Sequence, residues 1–418
     1  MTSPLSDRLR AAFGSSLQAT IASSPRSAAI RPVASELPGV EFQTEAGPCL
    51  VVETRYPLDH SHGGLELGAC LALPPLGLVC LAKDPALGQV DLRQVVFLDT
   101  ETTGLAGGTG TTAFLVGIAS FRSDPIVGEQ LVVRQLFMRD FGEERAMLLA
   151  LVDELTPFRY VVTFNGKSFD LPLLETRYTL ARLSRRRWQP ERHFDLLHPA
   201  RRLWRELLGG CSLAILEEAV LGHRREADVP SWAIPGLYAA YLRLGESGPL
   251  QRVFSHNRHD LLSLAALATR LAHRLAAPLT SGLGPEELLA IGRLYNELGL
   301  GADAIGCLEL ALAQAEPPLR TRIALLLARL YRRRGRYDEA QALWGSLARG
   351  AAALTGLVEL AKHHEHRGRD PRAALEYVEQ ALVVLELREA RDGAPRWRAE
   401  RMELERRYAR LRRKCGAR

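Results

Sequence analysis

Short apolar runs separated by glycine and polar turns dominate the middle of the chain. Residues 95–98 (Val-Val-Phe-Leu) form one such run, which ends in Asp99-Thr100-Glu101. Residues 113–121 and 130–138 form two more, and 160–164 leads into the polar turn Asn165-Gly166-Lys167-Ser168. Runs rich in β-branched and aromatic residues and bounded by glycine predict strands. Residues 49–55 and 77–81 read the same way. Helical spacing of apolar positions appears over 143–155 and 173–183, and most strongly over 256–275, which is rich in Ala and Leu.

The flanks have a different texture. Residues 6–13 predict a short helix. Residues 14–38 are rich in Ser, Ala and Pro without a period and read as a linker. We therefore expect a flexible segment over 1–40 and a small β-rich segment over 41–94 that leads into the core. A second linker, 278–285, precedes a self-similar region. Gly292-x-x-Tyr295 with Ala304 recurs as Ala328-x-x-Tyr331 with Ala340, and again as Ala361-x-x-His364 with Ala374. That spacing is close to the period of about 34 residues of a tetratricopeptide repeat, and Tyr337-Asp338-Glu339-Ala340 is its best single match. Residues 286–415 are thus expected to form an all-α helical array, with the charged stretch 396–413 as its cap.

Composition narrows the class only slightly. Of 418 residues, 47% are hydrophobic and 24% charged, as in ordinary globular proteins. No apolar run approaches the roughly 20 residues a membrane helix needs. The first residues lack an apolar signal core. Six scattered cysteines form no Cys-x-x-Cys and read as reduced thiols. The expectation is a cytoplasmic protein with no membrane contact. The net charge of +6 comes almost wholly from arginine on the basic side. Arginine suits bidentate phosphate contacts, although a genome that favours Arg and Ala explains the charge equally well.

The candidate chemistry sits at the ends of these elements. Residues two apart on a strand face the same side, so Asp99 and Glu101 project together. Such a pair either binds a divalent cation or flanks a turn as surface acids. Asp170 stands just before a helix, as a ligand or as a cap. His256 and Asp260 are i and i+4 on one helical face, and His259 points about a quarter turn away. Asp59-His60-Ser61-His62 lacks further ligands at zinc spacing and reads as a polar turn.

Taken in order, LDTETTGLAGGTGTTAFLVG, FNGKSFDLPLL, FDLLHPARRLWRELLGGCSLAILEEAVLG and HNRHDLLSLAAL resemble the motifs of the DEDD exonuclease superfamily. They are most similar to the YprB-type ribonuclease H-like family. The resemblance implies an α/β fold over 95–278, a ribonuclease H-like mixed sheet with helices on both faces. It implies phosphodiester hydrolysis with two divalent cations, Mg²⁺ or Mn²⁺. Asp99 would bridge both ions, Glu101 and Asp260 would hold the ion carrying the attacking water, and Asp170 the other. His256 would take the proton. Its spacing of four from Asp260 is that of tyrosine-type members, where histidine-type members have five. The implied partner is nucleic acid, DNA or RNA, entered from a single-stranded end in the 3′-5′ direction.

Expected substrate contacts are Thr102, Gly104, Gly107, Asn165 and Asp195. Each has a structural alternative: the glycines a wide hairpin, Asn165 a turn cap, Asp195 a buried structural acid. Arg201, Arg202 and Arg205 around Trp204 read as a solvated helix face with one core Trp, or as a basic stripe with an aromatic for base stacking. Two rivals share these residues: an enzyme of the same fold with endonuclease polarity or a 5′ end preference, and an inactive nuclease-fold binding protein whose repeats recruit a protein partner.

Overall fold

The computed structural model describes residues 37–104, 108–226, 228–392 and 394–416. The expected helix at 6–13, most of the linker at 14–38, and Gly107 lie outside the described residues. The core is one seven-stranded mixed sheet. Its strands are β1 (Val40–Thr44), β2 (Gly47–Pro57), β3 (Val95–Thr102), β4 (Ala113–Asp124), β5 (Gly128–Phe137), β6 (Tyr160–Thr163) and β7 (Arg192–Asp195). Their spatial order is β1-β2-β5-β4-β3-β6-β7. The pairs from β1 across to β3 are antiparallel, and β3, β6 and β7 run parallel.

β3 is flanked by strands on both sides and covered on both faces, so seven of its eight residues are buried and Asp99 alone keeps partial exposure. This is why its sequence reads as a continuous apolar run and does not alternate. Alternation survives in the packing: Val95 and Phe97 enter one core layer, Val96 and Leu98 the other. α1 (Pro75–Ala82), α4 (Leu197–Leu208) and the second half of α6 (Gly248–Ala276) cover the first face. α2 (Glu144–Leu155), α3 (Asp170–Leu180), α5 (Ile234–Leu244) and the start of α6 cover the second.

One strand expectation is corrected. Residues 77–81 lie in α1, a helix with Pro75 in its first turn and Lys83 as its left-handed cap. A short apolar run does not distinguish a buried helix from a buried strand, and Pro at the first helical position is a start signal. Gly77 explains the site: a Cβ there would lie 2.3 Å from the Ala272 carbonyl oxygen, so α1 rests directly on the α6 backbone. Residues 49–55 do form a strand, β2, paired in the main sheet between β1 and β5.

Beyond α6 the described chain is helical: α7 (Pro285–Glu297), α8 (Gly301–Gln314), α9 (Leu319–Arg333), α10 (Tyr337–Ala348), α11 (Ala353–His363), α12 (Pro371–Asp392) and α13 (Arg398–Gly416), apart from one short helical turn after each of α11 and α12. Consecutive helices pack on each other through small residues. A Cβ on Gly292 would lie 2.9 Å from the Leu308 side chain, and one on Gly356 would lie 2.5 Å from the Ala348 backbone nitrogen. The array also packs on the core. Trp204 of α4 donates to Glu287 of α7 at 2.8 Å, and the Tyr295 hydroxyl donates to the Leu275 carbonyl at 2.6 Å. Trp204 is therefore a core residue, unavailable for base stacking. No described helix is long and apolar enough to cross a membrane.

Candidate active site

β3 delivers the first two acids. Asp99 pairs with Gly117 and Glu101 with Leu115 on β4, just before a bulge between Glu101 and Thr102. Asp170 is the first residue of α3 and accepts a hydrogen bond from Thr100 Oγ1. α6 passes over this end of the sheet and supplies His256, Asn257 and Asp260. Ligand atoms of Glu101, His256 and Asp260 all lie within 4.8 Å of one another. His259 points instead toward His62 and His223, with ring centroids 6.5 and 6.2 Å away.

Three of these acids, Asp99, Glu101 and Asp170, have raised pKa values. Burial, then the charges of Asp260, Glu101 and Asp170, hold Asp99 well above the usual carboxylate range, although it keeps some solvent contact. Burial, then Asp260 and Asp170, do the same to Glu101. Burial pushes Asp170 up to about 6, against the hydrogen bond from Thr100. Glu101 Oε1 is buried without a hydrogen-bond partner. An orphaned carboxylate oxygen among like charges is costly, and a hard divalent cation removes both penalties. The residues present therefore fit such an ion.

Several neighbours that the sequence did not reveal set the geometry. Asn257 is fully buried; its Nδ2 donates to Asp99 Oδ2 at 2.8 Å, and its Oδ1 accepts from Gln135 Nε2 at 2.9 Å. Gln135 also donates to the Phe254 carbonyl at 2.8 Å. Gly117 makes this possible, because a Cβ there would lie 2.0 Å from Asn257 Oδ1. Asp228 approaches His256 Nδ1 at 2.8 Å, while His256 Nε2 lies 3.4 Å from Asp260 Oδ2. A carboxylate at Nδ1 keeps the proton there and leaves the Nε2 lone pair on the acid side. Arg225 bonds Asp260 and Glu217 and reaches Asp228 at 3.2 Å. Arg225 and Asp228 come from a segment without period, which carries no signal of its own. Asn257 was findable, since it stands between His256 and Asp260 on a helix that faces the sheet.

The expected substrate residues have mixed placements. Thr102 is buried, and its hydroxyl donates to the Gly104 carbonyl at 2.7 Å. A Cβ at Gly104 would meet only Thr111 Oγ1, at 3.5 Å, so no close packing requires this glycine. Asn165 is exposed and holds φ at +69°, a left-handed conformation that Asn tolerates. Asp195 is buried, and its oxygens accept from the backbone N–H groups of Asn165 at 2.8 Å, Lys167 at 3.0 Å and Leu197 at 3.1 Å. It fastens the loop before Asp170 to the start of α4. Gly107 falls outside the described residues.

A family profile described as the RNase_H superfamily matches residues 96–272. Across 374 residues the chain is 32% identical to the uncharacterized protein YprB of Bacillus subtilis (strain 168), covering 88% of this chain and 87% of that one. The matched span begins at β3 and ends within α6, so it encloses every acid gathered above. With a ribonuclease H-like sheet and similarity over most of its length, the chain belongs to the YprB-type family of the RNase H superfamily.

Proposed function

We propose that the protein hydrolyses phosphodiester bonds of nucleic acid, as a 3′-5′ exonuclease of the DEDD kind. The observation that carries this reading is the unsatisfied acid cluster: Asp99, Glu101, Asp170 and Asp260 on three elements, with Glu101 Oε1 buried and partnerless. Held by these four carboxylates, two Mg²⁺ or Mn²⁺ ions would supply an activated water and a charge clamp on the phosphate. His256 accepts the water's proton at Nε2, and Asp228 holds the ring and stabilises the imidazolium that results. Asn257 fixes Asp99 in one rotamer. The loop 165–168, tied down by Asp195, borders the substrate. The helical array fits a tetratricopeptide-like partner surface.

The test is direct. Single- and double-stranded DNA and RNA, labelled at either end, are incubated with the protein and Mn²⁺, and the products are mapped. Stepwise shortening from the 3′ end that stops in EDTA is the expected result. Internal cuts would make it an endonuclease. A second reading, an inactive nuclease-fold binding protein, is favoured by one feature: Arg225 already pairs with Asp260. Failure of Mn²⁺ to bind, measured calorimetrically, would select it.

A further inference from the structure

A cleft of about 670 Å³ opens between the nuclease core and the helical array. Its core wall is the Lys167 loop, the end of α1 and the exposed edge of α4; its array wall is α7 and the start of α9. The floor includes Leu81, Leu289 and Leu294, and cations outnumber acids around it, with Glu206 and Glu286 also in the lining. Arg201 and Arg205 stand one turn apart on α4, and Arg293 faces them from α7. These three arginines and Lys167 are exposed and form no side-chain hydrogen bond or ion pair among the described residues. Other cations of the cleft are neutralised: Lys83 and Arg202 by Glu297, Arg322 by Glu206.

We propose that this cleft binds the single-stranded part of a nucleic-acid substrate beyond the nucleotides in the active site. The inference rests on the nuclease reading above and extends it to the array. Three observations support it. The cleft begins at the loop that leads into Asp170, since Lys167 lines it and Asp195 ties that loop to α4. The unpaired groups are mainly guanidiniums, which match phosphate in bidentate geometry. The volume, about 670 Å³, falls in the range of ligand pockets, roughly 300–1,000 Å³, which suits a few unpaired nucleotides. Arg201 and Arg205, read from the sequence as a solvated face, thus acquire a partner through a helix about 90 residues away in the chain. Trp204 between them plays no part, being buried against Glu287.

The test is binding without turnover. Fluorescence anisotropy in EDTA measures affinity for labelled single-stranded 20-mers and 6-mers of DNA and RNA. The double variant Arg205→Glu, Arg293→Glu is expected to weaken 20-mer binding about tenfold or more and 6-mer binding far less. The slope of log affinity against log salt should fall by about 1.4, for two lost single-strand phosphate contacts. Arg205→Lys with Arg293→Lys should retain most of the affinity. Unchanged 20-mer affinity in the Glu variant overturns the proposal, as does equal loss for both lengths, or competition by polyglutamate as effective as by an oligonucleotide of equal charge. Absence of 20-mer binding by the unaltered protein also overturns it. The two readings fail separately: binding without Mn²⁺-dependent cleavage removes the hydrolytic reading and leaves the cleft, whereas cleavage with a fully binding Glu variant does the reverse. Melting temperatures of the variants guard against unfolding, and a variant that melts early is replaced by Arg205→Gln, Arg293→Gln.

Discussion

Glu101 and Glu365 are both buried glutamates, one in the nuclease core and one in the helical array. Glu365 lies in the turn after α11 and is met by three cations of α13: Arg407 at 2.7 Å, Arg410 at 2.8 Å and Lys414 at 3.2 Å. The hydrogen bond from Arg410 leads in holding its pKa down to about 2, joined by Lys414. Glu101 sits among Asp99, Asp170 and Asp260, with Arg225 the cation that lowers its pKa against them, and its pKa is driven up. One site closes its charge balance within the chain and ties the last helix down. The other leaves a negative surplus where the sheet ends. A buried charge that the fold itself satisfies serves stability, and one that the fold leaves unsatisfied marks a place for something to bind.

The contrast is tested most strongly by Asp99→Asn. Removing a carboxylate proposed to hold both ions should lower the proposed hydrolysis about 10⁴-fold. In EDTA the same variant should melt higher than the unaltered protein, because one repelling carboxylate is gone. A lower melting point in EDTA would show that the core acids are not in conflict. Next, His256→Ala should slow hydrolysis about 10²–10⁴-fold while Mn²⁺ binding holds. His259→Ala should do much less, since its ring turns toward His62 and His223. If His259→Ala proves the slower enzyme, the proton acceptor has been assigned to the wrong ring.

Glu365→Ala carries the opposite sign to Asp99→Asn. Leaving buried Arg407 with only the longer 3.7 Å contact to Glu403 should cost up to about 3 kcal/mol, seen as early melting of the array. The two sites should also respond oppositely to pH. Glu365 is depressed from 4.5 to about 2, so its contribution is present above pH 4.5 and lost as pH falls toward 2. Asp170 is raised from 3.8 to about 6; its protonated form favours folding below pH 3.8, and that advantage is lost as pH rises through 6. Thermal melts of the metal-free protein from pH 4.5 to 7.5 should show this loss. Mn²⁺ at 100 times its dissociation constant should restore about 2.7 kcal/mol at pH 7.5, and Asp99→Asn should abolish that gain.

How much of this was legible in the sequence differs by element. The strand bearing Asp99 and Glu101, the helix start at Asp170 and the face shared by His256 and Asp260 follow from local periodicity. Local spacing fixes which side chains project together within one element. The run at 77–81 was misread because short apolar runs carry no period, and only the α6 backbone against Gly77 selects the helix. Arg225, Asp228 and the Gln135–Asn257–Asp99 chain were invisible for a related reason: each joins residues far apart in sequence, so no local pattern encodes it. The same holds for the basic cleft, where Arg293 meets Arg201 and Arg205 only because α7 packs on α4.

The sequence by itself determined the chemistry on offer: two carboxylates on one strand, one at a helix start, a histidine and a fourth carboxylate on one helical face, and small residues spaced for helix pairing. Tertiary structure decided what those groups experience. Whether a carboxylate is neutralised, as Glu365 is, or left in repulsion, as Glu101 is, depends on which distant side chains share its low-dielectric surroundings. Packing alone chooses those neighbours, since the charge that matters is within a few ångströms in space and tens of residues away along the chain.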